Sequence, residues 1–206
     1  MPPTVLAAEE DDELIRRIEN GDERAFTCLY ERYSRRVWSF AHRLLGSRED
    51  ADDVTVEVFL ALHANLQARK YRKEAAFLSY VLQITAYQCN KHRRKNRSWF
   101  RPWGDDAQAG ETPIEEIPAH DTPEDHALAG EKVELIHKSI RQLGMEYRLV
   151  VALRLFEEMP YQEIADILQI PDGTVKSRLN RGLDKLRDIL EKYPDLFSHY
   201  AKCAKE

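Results

Sequence analysis

A basic, hydroxyl-bearing stretch near the C-terminus, PDGTVKSRLNRGLDKLR at residues 171–187, contains the residue types that point most directly to chemistry. It carries five Lys and Arg against two Asp, although the whole chain has a formal net charge of −5. Guanidinium, ammonium and hydroxyl groups bind the phosphates and base edges of nucleic acids. The stretch therefore predicts a nucleic-acid contact in a protein that is otherwise acidic.

The apolar residues of this stretch recur at steps of three and four, which is the period of one helix face. They are Val175, Leu179, Leu183, Leu186 and Leu190. The opposite face and its flanks collect the candidate base- and phosphate-binding side chains, which are Thr174, Lys176, Ser177, Arg178, Asn180 and Arg181. Gly173 has no Cβ, so a DNA backbone could come close to the N–H groups at the start of this helix.

A second short helix is predicted directly upstream, in MPYQEIADILQI, with Pro160 at its start and Ile164, Ile167 and Leu168 facing inward. Only residues 169–171 separate the two helices. Such a pair, with polar and basic groups on its second helix, forms the helix-turn-helix that lays this helix in the major groove. An ordinary helical hairpin with a solvated basic face gives the same pattern, so this stretch alone leaves both interpretations open.

Lys and Arg are concentrated a second time between residues 69 and 101, where ten of them stand against one acid. Aromatic residues are interleaved with these cations. An aromatic ring beside phosphate-binding cations contributes about 1–3 kcal/mol to the binding of each unstacked base. The helical period assigns Phe77 and Ile84 of this region to the core. Tyr71 lies in the basic loop, where no period explains it as a core residue.

The chain is predicted to be all-α, because strand patterns are nearly absent. A first helix is expected to end at Gly21, and a second to span residues 22–46. A third is expected from Ser47 to Leu66, with Ser47 and Asp50 forming a capping box at its start, and a fourth is expected to begin at Phe77.

An acidic flexible linker is predicted to join two small helical domains. Residues 105–125 hold eight acids and three prolines without any Lys or Arg, a composition that cannot build a core. The second domain contains the helix-turn-helix. The expected bounds are 1–97 for the first domain, 98–123 for the linker, 124–193 for the second domain and 194–206 for a tail.

Several classes of protein are excluded by what the sequence lacks. The N-terminus has no secretory signal pattern and no apolar run approaches the roughly 18 residues of a membrane span, so a cytoplasmic location without membrane insertion is expected. Cys28, Cys89 and Cys203 are scattered and are read as reduced thiols. His199 and Cys203 supply only two potential ligands, so no metal or other cofactor is predicted. No P-loop, paired metal-binding carboxylates or Ser/His/Asp set indicates an enzyme.

The combination resembles the bacterial RNA polymerase sigma factors of the extracytoplasmic-function group. EIADILQIPDGTVKSRLNRGLDKLR is similar to the second conserved domain of this family, and its run GTVKSRL at 173–179 is the most specific part. In the first half, DADDVTVEVFLAL is similar to the polymerase-binding helix. FLSYVLQITAYQCNKHRRK is similar to the helix that recognises and melts the downstream promoter element. The resemblance covers about residues 11–97 and 124–192.

The resemblance implies three sets of site residues. The basic face described above would bind the upstream promoter element. Recognition and melting of the downstream element would fall to Lys70, Tyr71, Arg72, Lys73, Tyr80, Tyr87, Asn90, Lys91, Arg93 and Arg94. Polymerase binding would fall to Asp50, Asp52, Asp53, Glu57 and Phe59. The sequence departs from the family pattern at Val56, Tyr80, Val81 and Tyr87, where Gln, Trp, Leu and Asn are usual.

On this reading the protein is a non-enzymatic subunit that gives core RNA polymerase its promoter choice under the control of an anti-sigma factor. The acidic linker would lie in the RNA exit path of the polymerase. The alternative is a stand-alone helix-turn-helix repressor or activator with an N-terminal sensing domain. Such regulators normally dimerise on palindromic half-sites, and the sequence offers no obvious dimer seam.

Overall fold

A computed structural model describes residues 10–72, 76–98 and 125–193, with side chains for 10–72, 76–95 and 133–193. The linker after residue 98, the tail and Lys73 lie outside the described residues. Within them the chain forms helices and no strand, which confirms the all-α prediction. The helices are α1 Asp11–Glu19, α2 Glu23–Leu45, α3 Arg48–Gln67, α4 Phe77–Ser98, α5 Asp125–Gln142, α6 Met145–Leu155, α7 Tyr161–Leu168 and α8 Asp172–Leu190.

Local capping fixes the junction between α2 and α3, which is only two residues long. Gly46 takes the left-handed conformation (φ 81°) that ends α2, and its N–H donates to the carbonyl of His42. The Ser47 hydroxyl then accepts a hydrogen bond of 3.2 Å from the Asp50 N–H and starts α3. Both caps were predicted from the sequence, and both are confirmed.

The N-terminal unit is a bundle of α2, α3 and α4 with α1 packed across α2 and α3. Its core contains fully buried side chains from each of the three long helices, such as Phe40, Leu62 and Leu82. Phe77 and Ile84 are buried as their period predicts. This bundle holds α3 and α4 rigidly, so that the outer faces of both helices are fixed relative to each other.

The C-terminal unit packs α8 against α6 and α7, with α5 alongside. Val175, Leu179 and Leu186 of the predicted apolar stripe are buried. Helix α8 lies close to α6 at Gly182, where a Cβ would be 2.8 Å from a methyl carbon of Val151. Glycine is therefore required for α8 to sit this close to α6.

The two units also pack against each other, a contact that the sequence did not indicate. Helix α7 lies against α4, and α5 and α6 lie against α2. Buried apolar residues of both units belong to one continuous hydrophobic cluster.

Candidate nucleic-acid interface

The turn between α7 and α8 has the geometry of a helix-turn-helix. Helix α7 ends where Gln169 takes a left-handed conformation (φ 53°), and α8 begins after Pro171 in extended conformation. Nothing lies within 4 Å of the position that a Cβ on Gly173 would occupy. The predicted three-residue turn and the open start of the second helix are thus both present.

The predicted reading face of α8 points away from the core of its own unit. Lys176, Ser177, Asn180 and Arg181 are exposed, whereas Thr174 and Arg178 are partly buried. The Ser177 hydroxyl donates to the carbonyl of Thr174 at 3.1 Å, which leaves its oxygen outward as an acceptor. The Lys176 ammonium lies 6.0 Å from the ring centre of Tyr161 on α7. This face offers donors of the kind that bind guanine and phosphate.

A second polar stripe runs along α4. Tyr80, Tyr87, Asn90, Lys91 and Arg94 recur at helical steps and share one side of the helix. Tyr87 is 66% exposed. Its free ring, with cations one to two turns further along the helix, provides the stacking and phosphate-binding groups that single-stranded DNA requires. Arg93 is partly buried and lies beside this stripe.

Tyr71 lies in an aromatic cluster at the start of α4. Its ring centre is 5.4 Å from that of Phe77 and 5.0 Å from that of Tyr80. The Tyr80 hydroxyl is protonated at neutral pH and can donate a hydrogen bond, and burial raises its pKa further above the ordinary value. Tyr71 is only partly buried, and its neighbours Lys70 and Arg72 are exposed. Packing therefore holds the two tyrosines in place while part of each ring remains accessible.

The acidic residues of α3 divide into paired and unpaired groups. Asp50 is 2.9 Å from a ring nitrogen of His92, and Asp52 accepts a 2.6 Å hydrogen bond from the Trp38 indole. Glu57 forms an ion pair of 3.6 Å with Lys91 of the α4 stripe. Asp53 is exposed.

Phe59 does not lie on this acidic surface, because its side chain is 4% exposed and packs inside the bundle. It meets Phe26 and Tyr30 edge to face at 6.3 Å and 4.7 Å. Sequence reasoning missed two exposed apolar residues on the outer face of α3, Val56 and Leu60, which are 59% and 66% exposed. Val56 follows Asp53 and Leu60 follows Glu57 by three residues each, a helical spacing that could have revealed them.

The described residues hold no group of three or more His, Cys, Asp and Glu side chains that could bind a metal ion. Cys28 is partly buried, and Cys89 is a buried thiol whose pKa is raised by burial to about 12. The His199 and Cys203 pair lies outside the described residues. Among the helices of the described part, none is long and apolar enough to cross a bilayer.

Comparison with known proteins identifies the family. The family model for Sigma-70 region 2 matches residues 29–99, and the model for Sigma-70, region 4 matches residues 134–186. Together the two matches span more than half of the chain. The chain belongs to the sigma-70 family. It is a sigma factor of the extracytoplasmic-function group, a transcription initiation factor that works with core RNA polymerase at promoter DNA, and it is not an enzyme.

Curated relatives span nearly the whole sigma factor. The RNA polymerase sigma-H factor of Pseudomonas aeruginosa is 28% identical over 91% of this chain and 97% of its own length. The ECF RNA polymerase sigma factor SigW of Bacillus subtilis is 29% identical over 85% of this chain and 94% of its own.

Two solved structures share the fold. CnrH in complex with the cytosolic domain of CnrY matches with a TM-score of 0.63 and 20% identity, over 89% of this chain and 98% of that chain. RpoE in complex with the anti-sigma factor NepR, from Bartonella quintana, matches with a TM-score of 0.64 and 17% identity, over 81% of this chain and 96% of that chain.

Proposed function

We propose that the sigma factor divides its work among three helices: α8 binds the upstream promoter element, α4 with the 70–72 loop binds and melts the downstream element, and α3 docks on core polymerase. The observation that carries this proposal is the two-sided character of α8. Val175 and Leu179 are fully or almost fully buried, while Lys176 and Arg181 of the same helix are exposed. A helix anchored in this way presents its cations at fixed positions to a groove.

The role of α4 rests on the exposed Tyr87 ring and on the cations beyond it. Melting a duplex requires groups that bind bases out of the stack, and one exposed aromatic ring contributes about 1–3 kcal/mol per base. Lys91 and Arg94 follow Tyr87 by one and two helical turns and would bind the phosphates of the unpaired strand. The Tyr71 and Tyr80 rings add a second platform at the other end of the stripe.

The docking role of α3 rests on one composite surface, formed by Asp53, Val56, Glu57 and Leu60, which we call the α3 face. Exposed apolar side chains rimmed by charges are typical of protein interfaces. The two carboxylates favour a partner that carries basic side chains around an apolar groove.

We infer that the protein works in the cytoplasm, where core polymerase and the chromosome are found, and that an anti-sigma factor controls it. Support for this control comes from the relative of known structure that is held by the anti-sigma factor NepR.

The variant Asp53→Arg with Glu57→Arg tests the docking role. The double charge reversal places repulsion where a basic partner should bind, so we expect copurification with core polymerase to be lost while the helical circular dichroism is unchanged. The matched control is Glu23→Arg with Glu31→Arg, which reverses two exposed acids of α2. Normal core binding by the folded α3 variant would move the docking surface elsewhere.

A further inference from the structure

One ion pair joins the α3 face to the polar stripe of α4. The Lys91 ammonium lies 3.6 Å from a carboxylate oxygen of Glu57. Glu57 belongs to the surface proposed to dock on core polymerase, and Lys91 belongs to the stripe proposed to bind the unpaired DNA strand. The two candidate functions therefore meet at a single contact, and this contact lies wholly within the N-terminal unit.

A second contact between the same two helices fixes the position of this pair. Asp50 and Glu57 are seven positions apart, about two helical turns, so both acids lie on the side of α3 that faces α4. Asp50 is 2.9 Å from a ring nitrogen of His92, the residue that follows Lys91. Apolar residues of both helices are also buried in one core. Lys91 is therefore held beside Glu57 by more than the ion pair itself.

Both members of the pair are exposed enough to exchange partners. The side chain of Glu57 is 41% exposed, and that of Lys91 is 56% exposed. An exposed ion pair is weak, so its replacement by another pair requires little free energy. A buried pair could not exchange in this way, because breaking it leaves an uncompensated charge. The contact between Glu57 and Lys91 is therefore suited to be broken when a partner binds.

The surroundings of Glu57 indicate which partner competes for it. Val56 and Leu60 of the α3 face are 59% and 66% exposed. A protein that buries these two apolar side chains also removes water from the carboxylate beside them. Removal of water strengthens an ion pair between this carboxylate and a basic side chain of the partner. Such a basic side chain then competes with Lys91 for Glu57.

Arg94 provides a contrast within the polar stripe of α4. It lies about one helical turn beyond Lys91 and is exposed. Among the described residues it has no acidic partner. Of these two cations, only Lys91 therefore has its charge offset by a neighbouring carboxylate.

We propose that Glu57 is a positioning residue that couples polymerase docking to DNA binding. In the isolated sigma factor it holds Lys91 and offsets its charge. When core polymerase docks on the α3 face, Glu57 pairs with a basic side chain of polymerase, and Lys91 is released to a phosphate of the unpaired strand. By linkage, DNA bound at Lys91 strengthens polymerase docking by the same factor. This inference rests on the roles proposed above for α3 and α4.

A double-mutant cycle in the isolated full-length protein tests the first half of this inference. The variants are Glu57→Gln, Lys91→Gln and the two together. The probe is a labelled single-stranded DNA of mixed sequence, and its binding is followed by fluorescence anisotropy at several KCl concentrations. Glu57→Gln should raise the affinity about twofold, and at most about fivefold, the range expected for an exposed pair. The salt slope should steepen by up to about 0.7, the value for one phosphate contact on a single strand.

Three further variants separate this coupling from a general effect of charge. Glu31→Gln removes an exposed acid of α2, so it measures the effect of net charge alone. Glu57→Gln combined with Arg94→Gln should show additive effects on DNA affinity, because these two residues are not paired. Lys91→Arg keeps the cation and should keep the coupling to Glu57. The inference is overturned if Glu57→Gln acts no more strongly than Glu31→Gln, or acts equally when Lys91→Gln is present.

The holoenzyme tests the transfer of Glu57 to polymerase. The same cycle is measured with saturating core polymerase, and the probe is a promoter fragment that the holoenzyme selects from genomic DNA. Lys91→Gln should weaken promoter binding by the same factor with and without Glu57→Gln, because polymerase already occupies Glu57. A coupling between the two residues as large as that in the isolated protein would overturn the transfer.

The outcomes distinguish this inference from the proposed function. In the isolated protein, Lys91→Gln can weaken DNA binding equally with and without Glu57→Gln. That result contradicts the coupling and leaves the proposed role of α4 intact. DNA affinity that Lys91→Gln leaves unchanged, in both the isolated protein and the holoenzyme, contradicts the proposed role of α4 and this inference with it.

Discussion

Position around α8 decides what each of its cations can contact. Arg181 and Ser177 lie near the centre of the face opposite the buried Val175 and Leu179, and both are exposed. Lys176 lies toward one edge, near the Tyr161 ring. When a helix enters a groove, side chains at its centre reach base edges and those at its edges reach phosphates.

This geometry predicts different effects for Arg181→Ala and Lys176→Ala. A bidentate Arg–guanine contact gives about 1–3 kcal/mol of discrimination, whereas loss of a phosphate contact weakens all sequences alike and lowers the salt slope by about one unit. Holoenzyme with Arg181→Ala should therefore lose preference at one or two positions of the upstream element. Holoenzyme with Lys176→Ala should bind every promoter more weakly. Binding to a set of mutated upstream elements measures both, and an unchanged ranking with Arg181→Ala would mean that the face is only solvated.

Periodicity was a reliable guide to individual residues where a helix has one buried side. It assigned Val175, Leu179 and Phe77 to the core, and all three are buried. It could not place Tyr71, because loop residues have no period and the ring packs through contacts made by the whole bundle. Phe59 was expected among the polymerase-binding residues because of the family resemblance. A resemblance aligns a position in the sequence but does not show which way its side chain faces.

At the level of helices, the contact between α2 and α5 contains a pair of histidines among arginines. Burial lowers the pKa of His42, and the Arg141 charge lowers it further, against an opposite effect of Glu134. His137 behaves similarly, with burial as the main cause and Arg43 next. The His42 ring also stacks on Trp38 with 4.9 Å between ring centres. Both histidines are therefore favoured in the neutral form while the helices are packed.

The packed helices should lose stability in mild acid. A histidine whose pKa is lowered by folding takes up a proton more readily in the unfolded chain. The contribution of such a histidine to the free energy of unfolding is complete at pH values above its ordinary pKa of about 6.5. This contribution falls as the pH drops below that value, and it stops falling once the pH is below the lowered pKa of the folded state. Chemical denaturation should show a decreasing free energy of unfolding from about pH 7 to about pH 5.5.

The double variant His42→Asn with His137→Asn is the control for this pH dependence. It removes both of these histidines, while the other histidines of the chain remain. The free energy of unfolding should decrease less in this variant than in the wild-type protein as the pH is lowered. An identical pH dependence in both proteins would show that the two histidines are not responsible.

Sequence predicted the helices and their caps because capping and periodicity are local. It did not predict that α7 packs on α4. The residues that make this contact, such as Ser79, Gln83 and Glu163, are polar and have the same sequence pattern as a solvated surface. Their partners lie more than 80 positions away in the chain, a separation over which a single sequence carries no local signal.

For the whole molecule, charge is distributed so that DNA binding depends on another protein. The chain carries a net charge of −5, and the cations proposed to bind DNA lie in two separate patches. Phosphate contacts supply most of the affinity of DNA-binding proteins, so two modest patches on an acidic body give weak binding at physiological salt. Core polymerase must therefore supply the remaining affinity.

Promoter-specific initiation by this protein together with core polymerase is tested most directly by in vitro transcription from genomic fragments, combined with footprinting at physiological salt. The three samples are the free protein, core polymerase and the reconstituted holoenzyme. We predict that only the holoenzyme protects and initiates at discrete promoters, with upstream and downstream elements protected together. A tight and specific footprint by the free protein, or transcription by core polymerase that the protein leaves unchanged, would contradict it.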